Sequence, residues 1–209
     1  MQSRSHQLIL RRSPGSTYVD RNEIFLENVR VPGLYLVGEE NRGWYVNATL
    51  MDFERSGIEA VVRNEYCINA LMELLRENQE QEGPSERLTL LKHRLIQLKI
   101  ESDISRLLSY RIAWMQSQKQ IPNYQTSMAK LFKTELTKRI ASLGMEILGY
   151  YGHLTPGQER AGLDDEIGSD LHEEITKLFL GTPAGTIAQG TSEIHRNIIA
   201  QRGLGLPRN

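Results

Sequence analysis

The amino-acid sequence predicts a mainly α-helical protein, an up-down helical bundle preceded by a short N-terminal β segment. From Trp44 onward, apolar residues recur every three to four positions over long stretches, which is the spacing of amphipathic helices. Prolines and glycines interrupt this pattern only briefly, which indicates short connections between neighbouring helices. The first forty residues differ, because they carry β-branched and aromatic residues at short spacing.

The β segment is predicted to form two strands, at residues 6–10 and 18–26, joined through the turn-like composition of residues 13–16. Two strands alone are marginally stable in water, so we expect the rest of their sheet to come from outside this sequence. Residues 1–40 are therefore predicted to be the last strands and linker of an incomplete β-domain. Residues 41–209 are predicted to form the bundle.

Five helices are predicted in the bundle. The first runs without interruption from Trp44 to about residue 80, and the second from Ser85, a candidate N-cap, to about residue 118. The remaining three are predicted at about 124–148, ending at Gly149, at 164–180, with a loop at 181–185, and at 191–201.

Periodicity also predicts which side chains face the core. On the first three helices the predicted inward residues are Val46, Leu50, Phe53, Ile58, Val61 (or Val62), Ile68, Leu71, Leu75, Leu88, Leu91, Leu95, Leu98, Ile104, Leu108, Met128, Leu131, Leu136, Ile140 and Leu143. Trp44 and Trp114 are predicted to be core residues. The basic side chains of the third helix are predicted to form a solvated face, namely Lys130, Lys133, Lys138 and Arg139.

Composition excludes several classes of function. Lys and Arg number 25 and Asp and Glu 26, so the net charge of −1 gives no general attraction for nucleic acid. No apolar run approaches the roughly 18 residues that span a bilayer. The single cysteine, Cys67, excludes an intrachain disulfide and a cysteine-based zinc site, and no histidine has a glutamate three positions before it. We therefore expect a cytoplasmic protein with no metal and no membrane span.

Three stretches resemble the acyl-CoA dehydrogenases. They are residues 23–44, Met51–Gly57 with its Glu54-Arg55 pair, and residues 186–208 with the specific core Gly-Thr-Ser-Glu-Ile at 190–194. A weaker match covers residues 146–152. The resemblance spans nearly the whole chain in the family's order and implies the family's C-terminal helical domain with the end of its middle β-domain. It also implies that the chain alone, without the other domains, is inactive.

The resemblance further implies a flavoenzyme. Such enzymes convert an acyl-CoA thioester to the trans-2-enoyl-CoA, with FAD as hydride acceptor. The expected partners are the acyl-CoA substrate, an electron-transfer flavoprotein or similar acceptor, and further subunits in a homo- or hetero-oligomer, a dimer or tetramer.

Two positions can supply the base that removes the α-proton. One precedes the late Gly-Thr, where this sequence has Gln189, an amide that cannot act as a base near neutral pH. The other precedes the helix arginine, where it has Glu54, as in the isovaleryl-CoA and long-chain members. Pattern alone would make Glu54 a solvated helix carboxylate, whereas the resemblance favours Glu54 as the base, with Arg55 and Asp52 as structural support.

The resemblance assigns the remaining site residues to the cofactor and the thioester. The backbone N–H of Gln189 would donate to the thioester carbonyl, and Gly190, Thr191 and Glu193 match positions that touch FAD. Thr191 is also a candidate N-cap. Gly149 and Glu146 match a segment that approaches the adenosine half of FAD from a neighbouring subunit, although Gly149 could equally be a helix C-cap.

One departure from the family pattern leaves a second reading open. The family usually carries Arg-x-x-Phe-Gly after its first long helix, and here Arg76 is followed by a polar, acidic stretch up to Gly83. The alternative is a non-catalytic subunit of a mixed acyl-CoA dehydrogenase tetramer, which gives oligomer contacts and part of a flavin site.

Overall fold

The computed structural model describes residues 8–12, 22–26, 28–54, 57–153 and 166–208. The chain divides into two compact units, Met1–Leu50 and Met51–Asn209. In the first unit, β1 (Leu8–Arg12) pairs antiparallel with β2 (Asn22–Leu26), and Leu10 lies opposite Ile24. A 3-10 turn follows at Gly33–Tyr35. The remaining residues of the predicted strands, 6–7 and 18–21, lie outside the described residues.

The first predicted long helix is in fact two helices, α1 (Gly43–Glu54) and α2 (Ile58–Glu82). The prediction of one uninterrupted helix was therefore wrong. Gly57 has a φ of 55°, in the left-handed region, and a residue in that conformation cannot continue a right-handed helix. Apolar periodicity missed the break because the spacing of the apolar residues carries on across it.

The next two helices confirm the predictions closely. In α3 (Glu86–Ser117) the Ser85 hydroxyl accepts the N–H of Leu88 at 3.2 Å, which caps the helix N-terminus. The following helix is α4 (Tyr124–Leu148), and the N–H of Gly149, with φ 57°, donates to the carbonyl of Met145. Gly149 is thus a C-cap, as one of its two readings predicted.

Helix α5 (Glu166–Ile187) runs seven residues past its predicted end and includes the stretch 181–185 that was predicted to be a loop. Pro183 has no N–H for the carbonyl of Phe179, four residues earlier. The Thr182 hydroxyl donates to that same carbonyl at 2.9 Å and supplies the missing bond. The helix therefore continues through Pro183, although the sequence pattern predicts that it ends before this residue.

The last helix, α6 (Ser192–Ile198), is short and continues into one π-helical turn at Ile199–Gly203. It confirms the helix predicted at 191–201. The π turn lets the chain turn back, so that Gly203 packs against the ring of Tyr124 at the start of α4.

Helix α4 lies at the centre of the second unit and packs against α2, α3, α5 and α6. The core between these helices is made chiefly of aliphatic side chains, which confirms the predicted helical bundle; its largest members include Ile68, Leu71, Leu75, Leu91, Leu95, Leu98, Leu136, Ile140, Leu143 and Ile175. Cys67 lies among them, and burial raises the pKa of its thiol to about 11.

Several burial predictions were wrong. Trp44 is 77% exposed and Trp114 is 59% exposed, so neither is a core residue. Leu50, Ile58 and Ile104 are also exposed, although all three were predicted to face inward.

The opposite error concerns two lysines on α4. Lys130 is 1% exposed and Lys133 is 8% exposed, although both were predicted to lie on a solvated face. Lys138 and Arg139 are exposed, as predicted.

Across the part of the chain that the structure describes, every helix is too short or too polar to cross a membrane.

Candidate functional site

The late sequence motif forms a tight turn between α5 and α6. Gln189 has a φ of 59° and Gly190 a φ of 106°, so two consecutive residues adopt a conformation that cannot continue α5. Thr191 then caps α6, because its hydroxyl accepts the N–H of Ile194 at 3.3 Å. The predicted capping role of Thr191 is confirmed. We refer to residues 188–191 as the late turn.

Two side chains of α4 form hydrogen bonds with the late turn and the start of α6. The buried Lys130 Nζ donates to the carbonyl oxygen of Gly190 at 2.8 Å. One turn further along α4, Glu135 Oε1 accepts the hydroxyl of Ser192 at 2.6 Å. Both bonds involve a charged group, and such bonds are shorter and stronger than neutral ones.

The ring of His195 packs close to Gly190 in the late turn. His195 is fully buried, and a Cβ added to Gly190 would lie 3.2 Å from its Nε2 atom. A side chain at position 190 would thus be strained by the positive φ and crowded by the ring. This accounts for glycine at that position.

Glu193 projects from the first turn of α6 into solvent, where it pairs with Arg196 at 3.3 Å. Hydrogen bonds from its own backbone N–H and from the Thr191 hydroxyl hold the pKa of its carboxyl below the usual value. Gly190 and Thr191 remain partly exposed. The predicted contact of Gly190, Thr191 and Glu193 with FAD stays a prediction.

Glu54 is the last residue of α1. Its side chain, that of Asp52 and the whole of Arg55 lie outside the described residues, so their predicted roles stay predictions. What the structure does describe is the chain three residues later. Gly57 lies directly against the side chain of Lys133 on α4, and a Cβ added to Gly57 would collide with Lys133 Nζ.

Lys130 and Lys133 are one turn apart on α4, so they share a face of that helix. One contacts the late turn and the other contacts the segment that follows Glu54. The two sequence motifs, more than 130 residues apart, are thus in contact with a single turn of one helix. Burial lowers the pKa of Lys133, and the carboxylate of Glu59 partly opposes that effect.

Glu146 and Gly149 lie at the other end of α4, about 24 and 28 Å from Lys130 at 1.5 Å of helix rise per residue. The Glu146 carboxylate binds Arg94 of α3 through both oxygens, at 2.8 and 2.7 Å. The structure therefore does not bring these two residues together with the late turn of the same chain. Their predicted approach to FAD from a neighbouring subunit stays a prediction.

The departure from the family pattern lies at the exposed end of α2. Arg76 pairs with Glu73 at 2.9 Å on the same helix, and α2 ends at Glu82 before Gly83. Glu77 and Glu80 are exposed. This end of α2 is polar and acidic, which does not favour binding of a pyrophosphate.

No group of three or more histidine, cysteine, aspartate or glutamate residues that could hold a metal lies within residues 8–12, 22–26, 28–54, 57–153 and 166–208.

Sequence reasoning missed Lys130, Lys133, Glu135 and His195. A signal was present for Lys133, because positions 133, 136, 140, 143 and 147 form one apolar stripe in which only Lys133 is charged. A lysine inside such a stripe indicates a buried ammonium group. Lys130 carried no comparable signal, since only the fold places Gly190 beside it.

The chain matches a known family of domains over most of its length. Residues 41–204 match the family "Acyl-CoA dehydrogenase, C-terminal domain". A solved glutaryl-coenzyme A dehydrogenase in complex with glutaryl-CoA has the same fold, with a TM-score of 0.77 and 22% identity, over 96% of this chain and 48% of that one. The chain therefore belongs to the acyl-CoA dehydrogenase family and corresponds to its C-terminal helical domain, as the resemblance predicted.

The curated relatives agree. Acyl-CoA dehydrogenase IpdE1 of Mycobacterium tuberculosis is 30% identical over 90% of this chain and 44% of its own length. The rat mitochondrial long-chain specific acyl-CoA dehydrogenase is 24% identical over 88% of this chain and 39% of its own length. A chain of the ChsE4-ChsE5 complex from M. tuberculosis aligns with a TM-score of 0.77 and 25% identity, over 97% of this chain and 50% of that one. This chain spans about half the length or less of these relatives.

Proposed function

We propose that the chain works as the C-terminal domain of an FAD-dependent acyl-CoA dehydrogenase, with Glu54 as the base that removes the α-proton. The observation that carries the proposal is the family match over residues 41–204, which includes both motifs that contact α4. Curated relatives named as acyl-CoA dehydrogenases support the reaction class. Because the match covers about half of each relative, the complete activity needs further domains, and the chain alone is expected to be inactive.

In the proposed reaction the carboxylate of Glu54 takes a proton from Cα of the acyl-CoA while a hydride leaves Cβ, so that a C=C bond forms. FAD, when bound, accepts the hydride. The N–H of Gln189 donates to the thioester carbonyl, where negative charge develops as the proton leaves. Gln189 needs no carboxylate for this role, because the donor is its backbone.

The late turn supports this assignment of Gln189. Gln189 and Gly190 both have a positive φ, and Lys130 donates to the Gly190 carbonyl, so the backbone of the turn is held by a charged group. A donor that is rigid before the reaction stabilises developing charge without reorganisation.

The test is the substitution Glu54→Gln in the flavin-containing complex captured through this chain from its native cells. We expect the rate of anaerobic flavin bleaching by acyl-CoA to fall about 10²- to 10⁴-fold, which is the usual contribution of a general base. The matched control is Glu77→Gln, at an exposed position of α2, which should leave the rate unchanged. An undiminished rate in Glu54→Gln would eliminate Glu54 as the base.

A second candidate function is a non-catalytic subunit of a mixed assembly. It is favoured by Gln189 in place of a carboxylate and by the polar end of α2. Among the structural relatives, ChsE4-ChsE5 is a complex of two different chains. An assembly role is also supported by the apolar side chains that α3 exposes, namely Ile100, Ile104, Leu107, Tyr110 and Trp114.

The visible spectrum of the captured complex distinguishes the two functions. A flavin band that bleaches with acyl-CoA, and no longer does so in Glu54→Gln, supports the catalytic role. A band that bleaches equally in the Glu54→Gln complex places the base in another subunit and supports the second function. A colourless complex that contains this chain would contradict the catalytic role.

A further inference from the structure

Two lysines are buried on the central helix of the bundle, and each contacts a different functional motif. Lys130 is 1% exposed, and its ammonium binds the Gly190 carbonyl at 2.8 Å. Lys133 is 8% exposed, and its Nζ occupies the space where a side chain at Gly57 would begin. The rest of the buried face of α4 is largely small or aliphatic.

Burial of a lysine destabilises the folded chain unless its ammonium group makes contacts that an apolar side chain cannot make. An ammonium group loses hydration when it is buried, and the loss is offset only by hydrogen bonds and opposite charges. Methionine has nearly the same length and could fill the same space without that cost. The hydrogen bond from Lys130 to a backbone carbonyl of the late turn offsets part of the lost hydration.

Each motif contains a residue in the left-handed conformation. Gln189 has a φ of 59° and Gly57 a φ of 55°. Glycine adopts this conformation readily, whereas a non-glycine residue such as Gln189 is strained in it. A turn of this type persists only where surrounding contacts fix it.

We infer that Lys130 and Lys133 are positioning residues that hold the late turn and Gly57 against one face of α4. The two lysines are three residues apart, so their backbones are about 4.5 Å apart along the helix axis. The structural part of the inference rests on these two contacts. Its catalytic consequence rests on the proposed function, in which the two motifs bring the Gln189 N–H and the Glu54 carboxylate to the same thioester.

The structural part of the inference is tested on the chain itself by hydrogen exchange of backbone amides. Lys130→Met should speed exchange about tenfold or more at residues 189–192, because a charge-assisted bond to the turn is lost. Lys133→Met should do so at Gly57 and Ile58 and not at the late turn. Lys138→Met, at an exposed position of the same helix, should change neither segment.

Two results would overturn the inference. One is unchanged exchange at 189–192 in a folded Lys130→Met chain, and the other is a uniform increase over the whole bundle in both variants. Should the variants fail to fold, nitrogen-15 labelling of lysine in the unmodified chain decides. Two lysine Nζ–H signals protected from exchange with water are expected, and the absence of protected signals would contradict the two buried contacts.

The catalytic consequence is tested in the captured complex. Each lysine variant should lower kcat about 10- to 100-fold while KM changes less than about threefold, since misplaced groups weaken the transition state more than substrate binding. A purely structural role would lower the melting temperature and leave kcat per bound flavin unchanged.

The outcomes also separate this inference from the proposed function. If Glu54→Gln retains full activity, the base assignment fails, yet the exchange results still decide whether the lysines hold the two segments. If Glu54→Gln is inactive and the lysine variants are fully active, the base stands and the positioning role falls.

Discussion

The two halves of α3 bury different kinds of side chain. Over residues 88–98, the leucine half, the inward side chains are Leu88, Leu91, Leu95 and Leu98. Over residues 102–114, the serine half, Ser102, Ser105, Ser109 and Ile112 face inward, while Ile104, Leu107 and Trp114 are exposed. The same helix therefore buries leucine in one half and mainly serine in the other, without a break in its backbone.

Apolar spacing predicted burial well in the leucine half and failed at Ile104 in the serine half. In the leucine half the inward residues belong to the apolar core, and α3 packs against α2 and α4. In the serine half most of the inward side chains are small, and small side chains leave room for helix backbones to approach closely. Three large apolar side chains of this half, Ile104, Leu107 and Trp114, are exposed and available for contact with other chains or domains.

The largest expected effect is a cavity in the leucine half. Leu95 is fully buried, so Leu95→Ala should lower the free energy of unfolding of the chain by about 2–5 kcal/mol. The measurement is urea denaturation followed by circular dichroism. The control is Leu107→Ala, where the side chain is 65% exposed and the change should stay within about 0.5 kcal/mol. Equal effects at both positions would contradict the proposed difference between the halves.

In the serine half we expect a larger side chain, rather than a smaller one, to destabilise the chain. Ser105 is buried, and Ser105→Leu should destabilise the chain by about 1–3 kcal/mol because α3 cannot accept the extra volume without moving. Ser105→Ala removes only the hydroxyl and should cost less. The comparison of both variants by thermal unfolding would refute close packing if Ser105→Leu proved as stable as the unmodified chain.

The smallest effect concerns the boundary between the halves, where Glu101 pairs with Arg139 of α4. The hydrogen bond from Arg139 holds the pKa of Glu101 below its usual value of 4.5. The stabilisation is therefore present above about pH 4.5 and is lost as the pH falls through the lowered folded-state pKa. Because Arg139 is half exposed, the pair contributes about 0.5–1 kcal/mol at most.

The substitution Glu101→Gln checks that sign. Unfolding curves at pH 7 should show the variant less stable than the unmodified chain, and the gap should close toward pH 3. A gap that widens on acidification would mean that the pair does not lower the carboxyl pKa.

Helix positions and caps were the part of the fold that the sequence predicted best. The Ser85 cap, the bounds of α4 and the cap at Gly149 depend on bonds between residues three or four positions apart, which a local pattern contains. Pro183 and the Gly57 break were missed because the deciding groups, a Thr182 hydroxyl and a left-handed φ, are conformations and contacts of the folded chain.

The candidate site divides in the same way. The family, the two motifs and the cap at Thr191 could be predicted from the sequence, because they depend on residue identity and order. The burial of Lys130 and Lys133, and the contact of one turn of α4 with both motifs, became evident only from the packing of the helices. The physical reason is distance along the chain: a contact between residues sixty or more positions apart leaves no periodicity in the sequence, and it forms only when the helices pack.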